Sequence, residues 1–247
     1  MPRRTNVNGA ASTDPASANP TGDTVSDPIA VLDDARLSYP TPAGEVPVLM
    51  GIDMAVRPGE ILAVTGPSGS GKSSLIALMG GLERPTGGRV EVLGLEMGAA
   101  DETQRTRLRR RDIGVVFQAY HLVPAMSALQ NVALPLVLAG APDARERAAE
   151  MLARVGLDHR LDHRPTALSG GEQQRVAIAR AFIAEPRLIL ADEPTGNLDQ
   201  TTGAAIVDAM FDLTKRTGAA LVLVTHDPAL AKRCDRHLTI DSGRVAA

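Results

Sequence analysis

Apolar runs and helix-like patterns alternate along most of this sequence. The runs EILAVTG (60–66), RLILADE (187–193) and ALVLVTHD (220–227) are almost continuously apolar, and the last two end in charged residues. Such runs are typical of parallel strands that are buried on both faces of a sheet. Residues 201–218 have the length of a crossover helix that Gly218 would close. The pattern predicts an α/β fold with a mainly parallel sheet and chemistry at the carboxyl ends of its strands.

Further strands and one helical region complete the predicted organisation. The segments AVLDDARLSY (30–39) and VLMGIDMAV (48–56) are interpreted as edge strands, which would give the core an antiparallel β edge. RVEVLG (89–94) and IGVVFQ (113–118) are interpreted as further strands. Residues from about 119 to 168 show helical periodicity and no convincing strand. We therefore expect an inserted helical subdomain within one domain of two lobes.

Composition narrows the cellular setting and the class of partner. The chain has 247 residues, 44% of them hydrophobic, and a net charge of −3, so we expect a sizeable core and no nucleic acid partner. Its single cysteine, Cys234, excludes an internal disulfide and fits a reducing compartment. No apolar run approaches the length of a membrane span. Residues Met1–Asp27 are interpreted as a disordered tail, not a secretory signal, and residues 28–247 as the folded domain of a cytoplasmic protein.

The stretch GPSGSGKSS lies between a predicted strand and a predicted helix. It matches the G-x-x-x-x-G-K-[ST] pattern of a phosphate-binding loop, and this context makes a chance glycine-rich turn a poor explanation. The glycines let backbone N–H groups approach phosphate oxygens, Lys72 supplies a positive charge, and the Ser73 hydroxyl can bind Mg²⁺. The predicted nucleotide-binding residues here are Gly66, Pro67, Ser68, Gly69, Ser70, Gly71, Lys72, Ser73 and Ser74.

Polar side chains follow three of the predicted strands. Asp192 is placed to orient Mg²⁺, and Glu193 after it can polarise an attacking water as a general base. His226 would lie beside Glu193 if their strands are neighbours, and it could then hold the water and reach the γ-phosphate. Asp227 can also be the N-cap of a following helix, which is compatible with that role. Gln118 ends a further strand and can reach the same Mg²⁺ and water.

A second candidate anion site lies about a hundred residues after the phosphate loop. In ALSGGEQQRVAIARAF, Ser169, Gly170 and Gly171 stand directly before a helical pattern, and a helix N-terminus favours an anion. No second lysine or strand-end acid pair accompanies it. A head-to-tail homodimer explains this arrangement, because each chain's LSGG would close over the γ-phosphate that the other chain holds. ATP binding would then join the two chains, and hydrolysis would release them.

Taken together, the motifs GPSGSGKSS, VVFQ, LSGGEQQR, LILADEP, GNLD and VTHD resemble an ABC transporter nucleotide-binding subunit over about residues 29–242. The resemblance implies a P-loop NTPase (RecA-like) core that hydrolyses ATP with Mg²⁺. It also implies that Tyr39, in a Pro- and Gly-rich loop, stacks on adenine. Gln118 would link Mg²⁺ to the transmembrane partner, Glu172 would belong to the second anion site, and Asp199 would lie across the dimer interface.

Three further segments are similar to the lipoprotein-release and macrolide-export group of these ATPases: LRRRDIGVVFQ, HLVPAMSALQNVALPL and HRPTALSGGEQQRVAIARAF. One departure is Gln130, where that group usually has Glu. Members of the group pair with an integral membrane permease of few spans and a large extracytoplasmic domain, which is FtsX/MacB-like. The resemblance therefore implies a peripheral position on the inner face of the cell membrane, and mechanical work or export.

Several alternatives to these interpretations remain open in the sequence. LDHRLDHRP (157–165) could suggest a metal site, but a solvated loop is the better interpretation. The basic run RTRLRRR (105–111) could suggest nucleic acid, but it lacks aromatic residues and favours a solvated helix face. A soluble ABC ATPase, for example in iron–sulfur cluster assembly or repair, is the alternative function. A nucleotide-gated regulator with little turnover is disfavoured by Glu193 and His226.

Overall fold

The computed structural model describes residues 27–246, so the predicted tail lies outside the described residues except for Asp27. The strands are β1 (Ala30–Thr41), β2 (Gly44–Val56), β3 (Ile61–Thr65), β4 (Gly87–Val92), β5 (Leu95–Glu96), β6 (Ile113–Phe117), β7 (Leu188–Asp192), β8 (Ala220–Val224), β9 (Arg236–Asp241) and β10 (Arg244–Val245). The helices are α1 (Lys72–Met79), α2 (Glu102–Asp112), α3 (Ala128–Leu138), α4 (Ala144–Arg154), α5 (Gly170–Phe182), α6 (Gln200–Thr217) and α7 (Pro228–Ala231).

A six-stranded sheet in the order β10-β9-β3-β8-β7-β6 forms the centre of the fold. The pairs β3–β8, β3–β9, β7–β8 and β6–β7 are all parallel, which confirms the predicted parallel sheet. The crossover from β7 to β8 is α6, which ends at Gly218 with a φ of 68°, as the sequence predicts. The strands β9 and β10 were not predicted, because residues 236–241 contain only two apolar side chains, Leu238 and Ile240, and β10 has two residues.

The two strands predicted at an edge instead belong to a separate antiparallel sheet in the order β2-β1-β4-β5. The prediction that β1 is an edge strand was wrong, since it lies between β2 and β4 and pairs with both. Its apolar side chains share a core with the parallel sheet and α1, and this core includes Leu32, Leu62 and Leu75. The second sheet thereby covers the strand–loop–helix unit that begins at β3.

Helices occupy residues 128–154, and α3 packs on α4 and α5. Ser127 is the N-cap of α3, and its hydroxyl accepts the Gln130 N–H while the Gln130 side chain accepts the Ser127 N–H at 2.9 Å. Glutamine therefore supplies the reciprocal cap that a glutamate would supply at this position. None of the helices in the described residues is long and apolar enough to cross a membrane.

A buried asparagine fixes the entry to α3. Asn131 is fully buried, accepts the Val123 N–H at 2.8 Å, and donates to the carbonyl oxygens of Val123, Met126 and Ser127. These contacts satisfy the backbone of the loop that leads from β6 to the helix. Such an amide cannot be removed without leaving several buried polar groups unpaired.

We predict that Asn131→Ala lowers the free energy of unfolding by roughly 2–3 kcal/mol, because it leaves these backbone groups buried without a hydrogen-bond partner. The neighbouring Gln130→Ala removes an exposed cap and should cost about 1 kcal/mol or less. Urea unfolding followed by circular dichroism measures both values. Equal losses for the two variants would show that the buried amide does not have this role.

Candidate functional site

The loop after β3 leaves backbone donors free at the start of α1. Gly71 is the N-cap, with a left-handed φ of 105°, and no side chain caps the helix. Within residues 27–246, no acceptor takes the N–H groups of Lys72, Ser73 and Ser74, whereas the Leu75 N–H bonds to the Gly71 carbonyl. These free donors, at the positive end of a helix dipole, form a site suited to phosphate.

Lys72 lies within the loop rather than in solvent. Its residue is 7% exposed, and its ammonium donates to the carbonyl oxygens of Gly66 at 3.0 Å and Pro67 at 2.7 Å. Two donor bonds leave one N–H of the ammonium for an anion. The buried Ser70 hydroxyl has no partner among the described residues.

Parallel pairing brings the predicted metal and catalytic residues to one sheet edge. Phe117 on β6 is in register with Asp192 on β7, so Gln118 and Glu193 both directly follow paired positions. A cleft of about 410 Å³ joins this edge to the loop. It is lined by Val48, Ser68, Gly69, Gly71, Lys72, Ser73, Ser74, Gln118, Asp192 and Glu193.

The carboxyl group of Asp192 is in an environment that opposes its charge. Burial raises its pKa above the ordinary value. The Ser73 hydroxyl lowers this pKa, the Glu193 carboxylate raises it, and the Lys72 ammonium lowers it. Ser73, Asp192 and Gln118 offer hydroxyl, carboxylate and amide oxygens, which suit Mg²⁺. A divalent cation here would offset the electrostatic cost of burying Asp192.

Glu193 and His226 are in contact, as the order of the strands requires. Glu193 has a φ of 44°, and its N–H bonds to the Val224 carbonyl of the neighbouring strand at 3.1 Å. The His226 Nδ1 lies 3.4 Å from the Glu193 Oε2, and the two side chains are 71% and 26% exposed. The expected proximity is confirmed, although His226 lines the adjacent groove with Thr65 and Gly66 rather than the cleft.

The second candidate anion site is a capped helix start. Ser169 is the N-cap of α5, its hydroxyl accepts the Glu172 N–H at 3.3 Å, and Glu172 accepts the Ser169 N–H at 2.8 Å. That bond from the Ser169 backbone lowers the pKa of Glu172 most, and Arg160, at 2.9 Å, lowers it further. Within the described residues the N–H groups of Gly170 and Gly171 have no acceptor. None of these residues lines the phosphate-loop cleft of its own chain.

Comparison with known proteins identifies the fold that carries this cleft. The sequence profile of the ABC transporter family matches residues 49–196, which include the loop and the strand-end acids. The chain belongs to the ABC transporter family. It is a subunit that binds and hydrolyses ATP.

Close relatives place it in one subgroup. The lipoprotein-releasing system ATP-binding protein LolD of Maricaulis maris strain MCS10 is 50% identical over 223 residues, 90% of this chain and 97% of that protein. LolD 1 of Rhodospirillum rubrum is 51% identical over 202 residues, 81% of this chain and 89% of that protein. A solved dimeric ATP-binding cassette, MJ0796 bound to ADP and phosphate, covers 88% of this chain and 97% of its own, with a TM-score of 0.82 and 36% identity. This ATPase thus belongs to the LolD subgroup.

Two residues whose roles came from the resemblance lie outside the cleft. Tyr39 is within β1 opposite Val46, so the prediction that it occupies a loop was wrong, because the β1–β2 hairpin pairs almost to its turn. Its side chain is partly buried and packs against the core that the second sheet shares with the parallel sheet and α1. Asp199 is the N-cap of α6 and accepts the Thr202 N–H at 3.0 Å. The Thr202 side chain, and after it this backbone bond, lower the pKa of Asp199.

Two residues of the site were not predicted from the sequence. Val48 lines the cleft because β2 passes over the loop. Asn197 accepts from the Gln118 Nε2 at 3.2 Å and donates to the Gln118 carbonyl at 3.1 Å. Asn197 belongs to the GNLD motif, which marks its loop as functional without recording its partner. Val48 belongs to no such motif.

The alternative sites have local explanations. No cluster of metal-ligating residues occurs in residues 27–246, and in the 157–165 segment Arg160 pairs with Glu172 and contacts His163. In the basic run, Arg105 is buried rather than solvated, and both Arg105 and Arg109 pair with Glu102. Asp227 caps α7 by accepting the Ala229 N–H at 2.8 Å, which confirms that expectation.

Two glycines of the loop differ in the space around them. A Cβ on Gly66 would lie 2.0 Å from the Ile240 carbonyl oxygen, whereas a Cβ on Gly69 would meet nothing within 4 Å. Both residues have a positive φ, 143° and 77°. We predict that Gly66→Ala costs more than about 3 kcal/mol of stability through this clash. Gly69→Ala should cost about 1–2 kcal/mol through backbone strain alone.

Urea unfolding without nucleotide measures both variants and separates the steric effect from phosphate binding. A Gly69→Ala variant as unstable as Gly66→Ala would contradict the packing argument. Circular dichroism of each variant before unfolding checks that the native secondary structure is present at the start.

Proposed function

We propose that this ATPase drives a lipoprotein-releasing transporter, and that it works as an ATP-dependent homodimer on a membrane permease. The observation that carries the proposal is its 47–51% identity to LolD proteins, over 81–90% of this chain. The cleft supports it, because the loop and the strand-end acids are complete. The alternative function, a soluble ABC ATPase, is not favoured. The relatives of this chain are named as ATP-binding proteins of a lipoprotein-releasing system, and its family is the ABC transporter family.

The cleft binds ATP through a charged side chain and through backbone N–H groups. The free N–H groups of Lys72, Ser73 and Ser74 and the Lys72 ammonium bind the phosphates of ATP. Ser73, Asp192 and Gln118 hold Mg²⁺ through their oxygens. When bound, this ion neutralises charge that develops on the transferred phosphoryl group. The resemblance assigns adenine stacking to Tyr39, which lies in β1 of the second sheet.

Glu193 and His226 act on the attacking water. Glu193 ends a buried strand and faces the cleft, so its carboxylate can orient the water and accept its proton. The His226 Nδ1 lies 3.4 Å from that carboxylate, so the imidazole holds Glu193 and the water in place. The His226 side chain is itself largely exposed. Glu193 has a positive φ of 44°, and strained conformations of this kind cluster at active sites.

A second copy of the chain completes the site. Ser169, Gly170, Gly171 and Glu172 do not line their own chain's cleft, and the N–H groups of the two glycines have no intrachain acceptor among the described residues. In a head-to-tail dimer these donors reach the γ-phosphate that the partner holds, and Asp199 faces the same interface. The related cassette MJ0796 is itself dimeric.

The membrane partner is an integral permease of the FtsX/MacB-like kind, with few spans and a large extracytoplasmic domain. This pairing places the ATPase on the inner face of the cell membrane. Residues of about 119–168 form a helical subdomain that contacts this partner, and Gln118 at its start links the contact to Mg²⁺. The support is the resemblance to the group, together with the helices α3 and α4, which lie within this segment.

We predict that Glu193→Gln forms a stable ATP-bound dimer, because it binds ATP and Mg²⁺ but lacks the carboxylate for hydrolysis. Gel filtration with saturating Mg·ATP should show a doubling of the 25.9 kDa chain mass. Adding Lys72→Ala should abolish the dimer, since it weakens ATP binding. A Glu193→Gln protein that stays monomeric, while still binding ATP, would overturn the dimer mechanism.

We predict that tagged Glu193→Gln protein, expressed in its native host, co-purifies with a permease from membranes solubilised in the presence of ATP. Mass spectrometry should identify a polytopic protein with few spans and a large extracytoplasmic domain. A permease with many spans would contradict the FtsX/MacB-like partner. Recovery of soluble partners alone would contradict the transporter function.

A further inference from the structure

We propose that Arg180 on α5 is a positioning residue for ATP hydrolysis. It holds the turn at residues 118–121 in the shape that presents Gln118 to the cleft, and it ties this turn to the helix whose N-terminus carries Gly170. The proposal rests on the role proposed above for Gln118. Arg180 itself touches neither the cleft nor the loop that binds phosphate.

The turn has a strained backbone. Tyr120 and His121 are consecutive non-glycine residues with positive φ, 57° and 46°. The His121 N–H reaches back to the Ala119 carbonyl at 2.6 Å, which makes the turn very tight. Such conformations persist only where surrounding contacts hold them, and they occur often at functional sites. The contacts that hold this turn therefore decide where Gln118 points.

Arg180 supplies those contacts through its guanidinium. One terminal nitrogen donates to the Tyr120 carbonyl at 2.9 Å, and the other donates to the His121 carbonyl at 2.7 Å. Burial lowers the pKa of Arg180, and its guanidinium donates to backbone carbonyl oxygens rather than to a carboxylate. A partly buried cation thus donates to two carbonyl oxygens from its two terminal nitrogens, whose spacing the planar guanidinium fixes.

The same turn joins three functional segments. Gln118 exchanges two hydrogen bonds with Asn197 in the loop after β7. The Tyr120 hydroxyl lies so close to α5 that a Cβ on Gly170 would be 3.0 Å from it. The strained turn thus lies between the cleft of its own chain and the helix start proposed to serve the partner's ATP. A loosened turn would misplace both groups without removing either.

Arg147 on α4 provides a matched control. It donates to the Ile183 carbonyl at 3.2 Å, just beyond the C-terminal end of α5 where Arg180 also lies, and it pairs with Glu185. Like Arg180, it is a partly buried arginine that binds backbone at an end of this helix. Its partner Glu185 also has a positive φ, 52°, but Arg147, unlike Arg180, does not contact the turn beside Gln118, and it contacts no residue of the cleft. A role limited to stabilising α5 would make the two arginines equivalent.

The test compares Arg180→Met, Arg180→Lys and Arg147→Met in the full chain, with ATPase kinetics and binding of a fluorescent ATP analogue. Arg180→Met should reduce kcat by roughly ten- to a hundredfold through misplacement of Gln118. Its KM and the Kd of the analogue should stay within about twofold, because the phosphate loop is untouched. Arg180→Lys should fall between wild type and Arg180→Met. Arg147→Met should keep the wild-type kcat.

Hydrogen exchange provides a second readout on the same proteins. The amides of residues 119–122 should exchange faster in Arg180→Met than in wild type, while those of α1 should not change. A kcat within about twofold of wild type, or an equal loss in Arg147→Met, would overturn the proposal. If Arg180→Met does not fold, Arg180→Lys carries the test, because it keeps the charge and loses the paired donors.

The test of Arg180 and the test of the dimer mechanism can fail independently of each other. If Glu193→Gln fails to dimerise while Arg180→Met still loses kcat selectively, the dimer mechanism falls and the positioning role stands. If Glu193→Gln dimerises and Arg180→Met keeps its kcat, the positioning role falls alone.

Discussion

The parallel pairing of β3, β8, β7 and β6 is the constraint on which the site depends. Parallel strands end at one edge of their sheet, so the loop after β3, the acid pair after β7 and the polar residues after β6 and β8 meet there. The register of Phe117 with Asp192 fixes how far Gln118 stands from the acids. A shift of one residue would turn these side chains to the other face of the sheet.

Two helix starts in this chain use the same dipole in different ways. At α1, a glycine N-cap leaves the first donors without intrachain acceptors among the described residues, and a lysine lies beside them. At α5, Ser169 and Glu172 satisfy each other, and the two glycines between them keep free N–H groups. The first is a site for a strongly charged ligand. The second is a weaker donor surface that becomes useful beside a phosphate held by other residues.

Three of the seven non-glycine residues with positive φ in the described part of the chain lie where the functional segments meet. Glu193, Tyr120 and His121 all have positive φ, and each is held by a partner distant in sequence: the Val224 carbonyl for Glu193, and Arg180 for the other two. The free energy needed for such backbones comes from the surrounding core, which packs α5 and α6 against the sheet. The site is therefore rigid because its neighbours are, rather than through local preference.

The sequence by itself determined the strand–loop–helix unit at 60–79, the strand-end acids, the crossover helix and the start of α5, because each depends on local periodicity, glycine placement or capping. The family followed from the order of the motifs. Only the tertiary structure decided that β1 lies between β2 and β4, that β9 and β10 extend the sheet, that Val48 lines the cleft, and that Asn197 and Arg180 hold the turn at Gln118. These contacts join residues up to 174 positions apart, and no local pattern records such a pairing.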